Sequence, residues 1–186
     1  MNLYKFHTNP EQLDGYENRL RIPLYAYRYG AKHGFTDELV STVAKDPQWA
    51  YRYARDINSR WPEGEAAIAK HPKWAYRYAY DIIGDRFPEG EAAIATDSGV
   101  AYEYADYVIN GRFPEAEAVI AKDPVVAFYY AKEVIDGRFP EGEPAIATNP
   151  DWAYMYAKHI IKDRWPEGEA AIAKDPKWAH MYARDI

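Results

Sequence analysis

The sequence predicts an all-α protein, a right- or left-wound α-solenoid of about six to seven helical hairpins. Three observations carry this expectation. A segment of the form A-Y-x-Y-A recurs, with its second tyrosine at Tyr53, Tyr78, Tyr104, Tyr130, Tyr156 and Tyr182, spaced 25, 26, 26, 26 and 26 residues apart. A fixed period of this size marks a repeat architecture. Proline stands just before nearly every apolar-periodic run, where its missing N–H does no harm to a helix. Within a run, Trp74, Ala75, Tyr78, Ala79 and Ile82 follow the i, i+1, i+4, i+5, i+8 pattern of one buried helical stripe.

Taken along the chain, residues 1–35 read as a degenerate N-terminal capping unit. It contains Pro23-Leu-Tyr-Ala-Tyr-Arg-Tyr29, and helices are predicted over 23–33 and 37–44. Residues 36–186 read as one continuous array. Its longer helix, helix B, is predicted over 47–57, 72–83, 98–109, 124–135, 150–161 and 176–185. Asp46, Asp97, Asp123, Asn149 and Asp175 are suited to accept from the free N–H groups of its first turn, and His71 breaks that column. The shorter helix A, P-E-G-E-A-A-I-A and its variants, is predicted over 62–69, 88–95, 114–121, 140–147 and 166–173. Its two glutamates bring negative charge to the positive end of the helix dipole. A linker such as Asn110-Gly-Arg-Phe113 stops helix B with Gly or Asn and places one aromatic ring in the core. A single hairpin of this size cannot bury a core, whereas stacked copies cover one another. The tyrosines of A-Y-x-Y-A and the tryptophans at 49, 74, 152, 178, 61 and 165 are therefore expected to be packing between units.

Composition narrows the function classes. The 186 residues are 48% hydrophobic and 28% charged, a folded rather than a disordered balance. There is no cysteine, which excludes disulfides, thiol chemistry and Cys-ligated zinc. A formal charge of −6 argues against a general nucleic-acid binder. No run approaches the ~20 apolar residues of a membrane span, and the start has no signal-peptide core, so a cytoplasmic location is expected.

Catalytic motifs are absent: no G-x-G-x-x-G, no P-loop, no H-E-x-x-H, no EF-hand loop and no G-x-S-x-G. Glutamate pairs recur as Glu63/Glu65, Glu89/Glu91, Glu115/Glu117, Glu141/Glu143 and Glu167/Glu169. Residues i and i+2 of a helix point to different sides, and a catalytic pair would not be copied in every unit. Dipole stabilisation and pairing with Arg60, Arg86, Arg112, Arg138 and Arg164 account for them. The histidines His7, His33, His71, His159 and His180 share no metal-ligand spacing. No enzymatic activity, cofactor or metal is expected.

The informative variation lies between the two tyrosines, at a position expected to point away from the buried stripe. It reads Arg28, Arg52, Arg77, Glu103, Tyr129, Met155, Met181. Tyr80 stands on the same side, and Val125 occupies a position that is polar or small in other units. Val125, Tyr129, Met155 and Met181, with Arg52, Arg77 and Tyr80, are the candidate partner-binding residues, since exposed Tyr and Met suit an adaptable protein-binding surface. Nucleic-acid binding along the Arg28–Arg52–Arg77 end ranks second. At the other end, Trp178, Ala179, Tyr182, Ala183 and Ile186 keep the full framework without a following unit. An apolar end is expected there, covered by further units or by a second copy in a homodimer, with fraying of the last helix as the third outcome.

Runs of the type RFPEGEAAIAKDPxWAYxYAxDIIxGR resemble short helical-hairpin tandem repeats of uncharacterised bacteriophage and large-virus proteins. The resemblance spans about residues 36–186 and, more loosely, 23–35. More distantly the chain is similar to tetratricopeptide and Sel1-like arrays, whose units are longer. The resemblance implies a phage accessory protein in the host cytoplasm that binds or inhibits a host or defence protein. It brings no catalytic residues.

Overall fold

Proline and the acceptor side chain before it decide where the longer helices begin. The Asp46 carboxylate accepts from the N–H groups of Gln48 (3.0 Å) and Trp49 (3.1 Å), ahead of Pro47. Asp123, Asn149 and Asp175 do the same, and Asp97 accepts from Val100. His71 makes no such bond. The computed structural model describes residues 19–186, so most of the expected capping unit, residues 1–18, lies outside the described residues. Among the described residues there are thirteen helices and no strand. They are α1 (Pro23–His33), α2 (Asp37–Val43), α3 (Pro47–Asp56), α4 (Pro62–Ile68), α5 (Pro72–Tyr78), α6 (Pro88–Ile94), α7 (Ser98–Tyr104), α8 (Pro114–Ile120), α9 (Pro124–Tyr129), α10 (Glu143–Ile146), α11 (Pro150–Tyr156), α12 (Pro166–Ile172) and α13 (Pro176–Asp185). Among the described residues no helix is long and apolar enough to cross a membrane.

The helices pack in neighbouring pairs. Each helix B lies mainly against the helix A that follows it, and also against the helix B of the next unit, in the order α3, α5, α7, α9, α11, α13. The pairs approach closely because small residues meet there. At Gly90 of α6 a Cβ would lie 2.7 Å from the Ala75 Cβ of α5 and 2.7 Å from the Phe87 ring.

Two features depart from the expected helices. First, α5, α7, α9 and α11 widen into π-helical turns over Ala79–Ile83, Ala105–Ile109, Tyr130–Ile135 and Ala157–Ile161. A π turn accommodates one extra residue inside a helix. In these units the next core aromatic stands nine positions after the second tyrosine, as Phe87 after Tyr78, against eight for Trp61 after Tyr53, where α3 has no π turn. The extra residue is absorbed in the helix, so the rings on both sides keep their register. Each widened turn ends on a left-handed residue: Gly84, Asn110, Asp136 and Lys162. Asp136 and Lys162 fill this stop where Gly or Asn was expected, at a conformational cost that Gly would avoid. Second, α10 covers only Glu143–Ile146 rather than 140–147. Pro144 has no N–H to bond the carbonyl of Pro140, so the first turn expected there does not form as α-helix.

The core is a repeated hydrogen-bonded ladder as well as an apolar stack. Tyr78, Tyr104, Tyr130 and Tyr156 are fully buried and Tyr53 is half-buried. The Phe87 N–H donates to the Tyr104 hydroxyl (2.8 Å), which donates to Glu91 Oε1 (2.9 Å). Glu91 accepts two bonds from the Arg86 guanidinium, at 2.7 and 2.8 Å. The same chain recurs at Trp61–Tyr78–Glu65–Arg60, Phe113–Tyr130–Glu117–Arg112, Phe139–Tyr156–Glu143–Arg138 and Trp165–Tyr182–Glu169–Arg164. The expected pairing of the arginine column with glutamate is present, and it engages only the second glutamate of each pair. That glutamate also accepts from the tyrosine hydroxyl, so it joins linker, helix A and the following helix B.

This ladder sets a pH window. The arginine bond, against the opposing cost of burial and with help from the tyrosine, holds Glu65, Glu91, Glu117 and Glu143 below the ordinary carboxylate range. Their folded pKa is depressed, so the stabilisation is present above the unfolded value of ~4.3 and is lost as pH falls through the folded one. Burial pushes the Tyr78 and Tyr130 hydroxyls up to about 12. That contribution is complete below the unfolded value of ~10 and is lost as pH rises through the folded one. Thermal melts are expected to be flat between roughly pH 5 and 10 and to fall on both sides. Glu91→Gln should make the acid limb shallower, and an unchanged acid limb in that variant would show that the ladder is not its source.

Candidate partner-binding site

A second set of contacts joins consecutive helices B. The first aromatic of A-Y-x-Y-A packs on a tryptophan of the next unit: Tyr27 on Trp49 (centroids 5.1 Å), Tyr51 on Trp74, Phe128 on Trp152 and Tyr154 on Trp178 (5.3 Å each). The hydroxyls of Tyr27, Tyr51 and Tyr154 donate to aspartates of that same next unit, Asp56, Asp81 and Asp185. These four tryptophans are half-buried.

Both links are missing in the middle of the chain. Val100 and Val126 stand where neighbouring units carry Trp, and Tyr107 stands where Asp81 stands one unit earlier. Tyr76 and Tyr102 are therefore only half-buried, against 3% and 1% exposure for Tyr51 and Tyr154. Tyr102 donates instead within its own helix B, to Asp106 at 3.4 Å. Partial burial, then the negative charge of Glu103 and charge repulsion from the neighbouring Tyr80 and Tyr107 hydroxyls, pushes the Tyr76 hydroxyl up to about 12.

Around this break large side chains reach the surface. Tyr80 is 53% exposed, Tyr107 55%, Tyr129 39% and Val125 38%. The rings are in contact within one unit, Tyr76 with Tyr80 (6.1 Å), and across units, Tyr80 with Tyr107 (6.3 Å), Tyr102 with Tyr129 (6.4 Å) and Tyr129 with Trp152 (5.8 Å). Beside them a groove of about 1000 Å³ spans three successive units. Tyr51 and Arg55 come from α3; Lys73, Tyr76, Arg77 and Tyr80 from α5 and its π turn; Val100 and Glu103 from α7. The groove lies beside Val100, the position at which a tryptophan would otherwise stand.

The cations here differ from the ladder arginines. Arg52 lies over the Trp49 ring at 4.7 Å, and Lys73 and Arg77 lie over the Trp74 ring at 5.1 and 5.9 Å. Among the described residues no carboxylate pairs with these three. Arg55 lies over Tyr51 at 5.9 Å and reaches Asp56 only at 4.0 Å.

Of the residues singled out in the sequence, Val125, Tyr129, Arg77 and Tyr80 are exposed, and Arg77 and Tyr80 line the groove. Arg52 is half-buried one unit away. Met155 and Met181 depart from expectation: both are half-buried and packed against the core, so they do not extend the exposed rings. An unbranched thioether can fold down onto the core where a rigid ring such as Tyr129 stands out. Tyr76, Tyr102 and Tyr107 belong to the site, although the sequence reading does not single them out. Their signal is the pair of valines in the tryptophan column. Among the described residues no three His, Asp or Glu side chains come together in a way that could hold a metal ion. Compared with protein-family models, curated proteins and solved structures, the chain matches none.

Proposed function

We propose that the chain is an α-solenoid scaffold, without catalytic activity of its own, that binds a protein partner through its helices B. The observation that carries this reading is the coincidence of two things in one place. The framework links between units are absent at Tyr76 and Tyr102, and the most exposed rings, Tyr80 and Tyr107, gather beside them. A surface that only faces water has no need to group large rings, and tyrosine is favoured at protein interfaces because it presents apolar area with a polar tip. The solenoid geometry is supported by the contacts of each helix B with the helix B of the next unit. The resemblance to phage repeat proteins supports the setting, a cytoplasmic accessory protein that binds or inhibits a host or defence protein. The cations at Arg28, Arg52 and Arg77 favour nucleic acid as the second reading.

Capture from a nuclease-treated host lysate tests it. The double variant Tyr80→Glu/Tyr107→Glu should lose the captured partner while melting as the parent does, because both side chains are more than half exposed. Undiminished capture would place the site elsewhere. Capture that disappears on nuclease treatment of the parent would favour nucleic acid.

A further inference from the structure

We infer that the groove across α3, α5 and α7 takes an extended peptide segment of the partner, acidic where it meets Arg55, Lys73 and Arg77 and apolar or aromatic toward Tyr80 and Tyr107. This deepens the protein-binding reading and rests on it. Charge complementarity is the first ground. Lys73 and Arg77 line the groove and, among the described residues, pair with no carboxylate. Arg52 stands one unit before them in the same condition. Of the acids of this stretch, Asp56 and Asp81 accept from the hydroxyls of Tyr27 and Tyr51, and Asp97 caps α7 through the Val100 N–H, which leaves Glu103 at the far side of the groove.

Direction is the second ground. The column between the tyrosines runs Arg28, Arg52, Arg77, then Glu103, then Tyr129. Cationic character therefore ends at Arg77, and the exposed rings begin beside it at Tyr80. A ligand that follows the row meets positive charge first and apolar surface second. Size is the third ground. Three helices B at the usual ~8–10 Å separation span roughly 20 Å, which an extended segment of about six residues covers at ~3.3 Å each. The groove also carries Asp81, Asp97 and Glu103. A nucleic-acid strand has a phosphate at every step and would meet those carboxylates, whereas a peptide can place acids only where the cations are.

The experiment is selection of random displayed decapeptides on the full chain, followed by binding of the selected synthetic peptides. Oligothymidylate serves as the nucleic-acid probe. Selected peptides should be rich in Asp or Glu toward one end and in apolar residues toward the other. Lys73→Glu/Arg77→Glu should weaken them about tenfold or more, as should a rise to high salt, because the contact is charge-dependent and exposed. Both positions are exposed, so the variant's melting should match the parent's. Peptides without acidic enrichment, or peptides indifferent to this variant but lost in Tyr80→Glu/Tyr107→Glu, would overturn the acidic segment and leave the protein-binding reading standing. A library that yields no binder, or oligothymidylate that binds and is lost in Lys73→Glu/Arg77→Glu, would also overturn it. The lysate capture then decides the broader reading separately.

Discussion

Tyr104→Ala is expected to destabilise the protein by about 3–5 kcal/mol, the cost of removing a large ring from a site that cannot close. Its ring is fully buried and packs on Phe113 with centroids 5.4 Å apart. Its hydroxyl also accepts from the Phe87 N–H and donates to Glu91. Tyr104→Phe separates the two contributions. The ring remains, but a buried N–H loses its acceptor, at about 1–3 kcal/mol. Glu89→Ala is the contrast. Glu89 is exposed and acts only through the helix dipole, so about 1 kcal/mol or less should be lost. Trp74→Ala should fall below Tyr104→Ala, since Trp74 is half-buried rather than part of the sealed core. Urea melts of the four variants decide the order. Equal losses for Tyr104→Ala and Glu89→Ala would show that the buried face lies elsewhere.

Most helix starts are legible in the sequence because proline and a short acceptor side chain act locally, within three or four residues of themselves. The π turns are not. The spacing of 25 then 26 residues records an insertion, but the periodicity does not say whether loop or helix absorbs it. The choice is made by Tyr78 and Phe87, whose contact must survive the extra residue. Glu89 and Glu91 look equivalent in the repeat and have different roles in the fold. Two residues apart on a helix they face different ways, and only Glu91 turns toward Arg86 and Tyr104. The candidate site is half legible for a similar reason. Val100 and Val126 are visible as gaps in the tryptophan column. That the gap falls on Tyr76 and Tyr102 depends on which column of one unit meets which column of the next, and a period alone does not contain that offset. Met155 departs from the exposed row because a column can keep its register while a flexible side chain folds back onto the core.

Refilling the framework should raise stability and remove binding together. In Val100→Trp/Tyr107→Asp, the new ring would stack on Tyr76 as Trp74 stacks on Tyr51, and the new carboxylate would accept from the Tyr76 hydroxyl as Asp81 accepts from that of Tyr51. An aromatic pair of this kind contributes about 0.5–1.5 kcal/mol beyond its buried area, so melting should rise. The same ring would occupy the groove beside Val100. The carboxylate introduced at position 107 would replace an exposed ring and bring a further negative charge near Glu103. Peptides selected on the parent should then bind at least about tenfold more weakly, since they lose both shape and charge complementarity. The two readouts test different links. Stability that falls would mean that the middle units are spaced differently from their neighbours and have no room for the framework ring. Stability that rises with binding unchanged would mean that the groove is not where the partner sits. The expected combination, a more stable chain that no longer binds, would show that Val100 and Tyr107 hold an opening in a surface that the other units close, which is the trade of stability for function expected at a binding site.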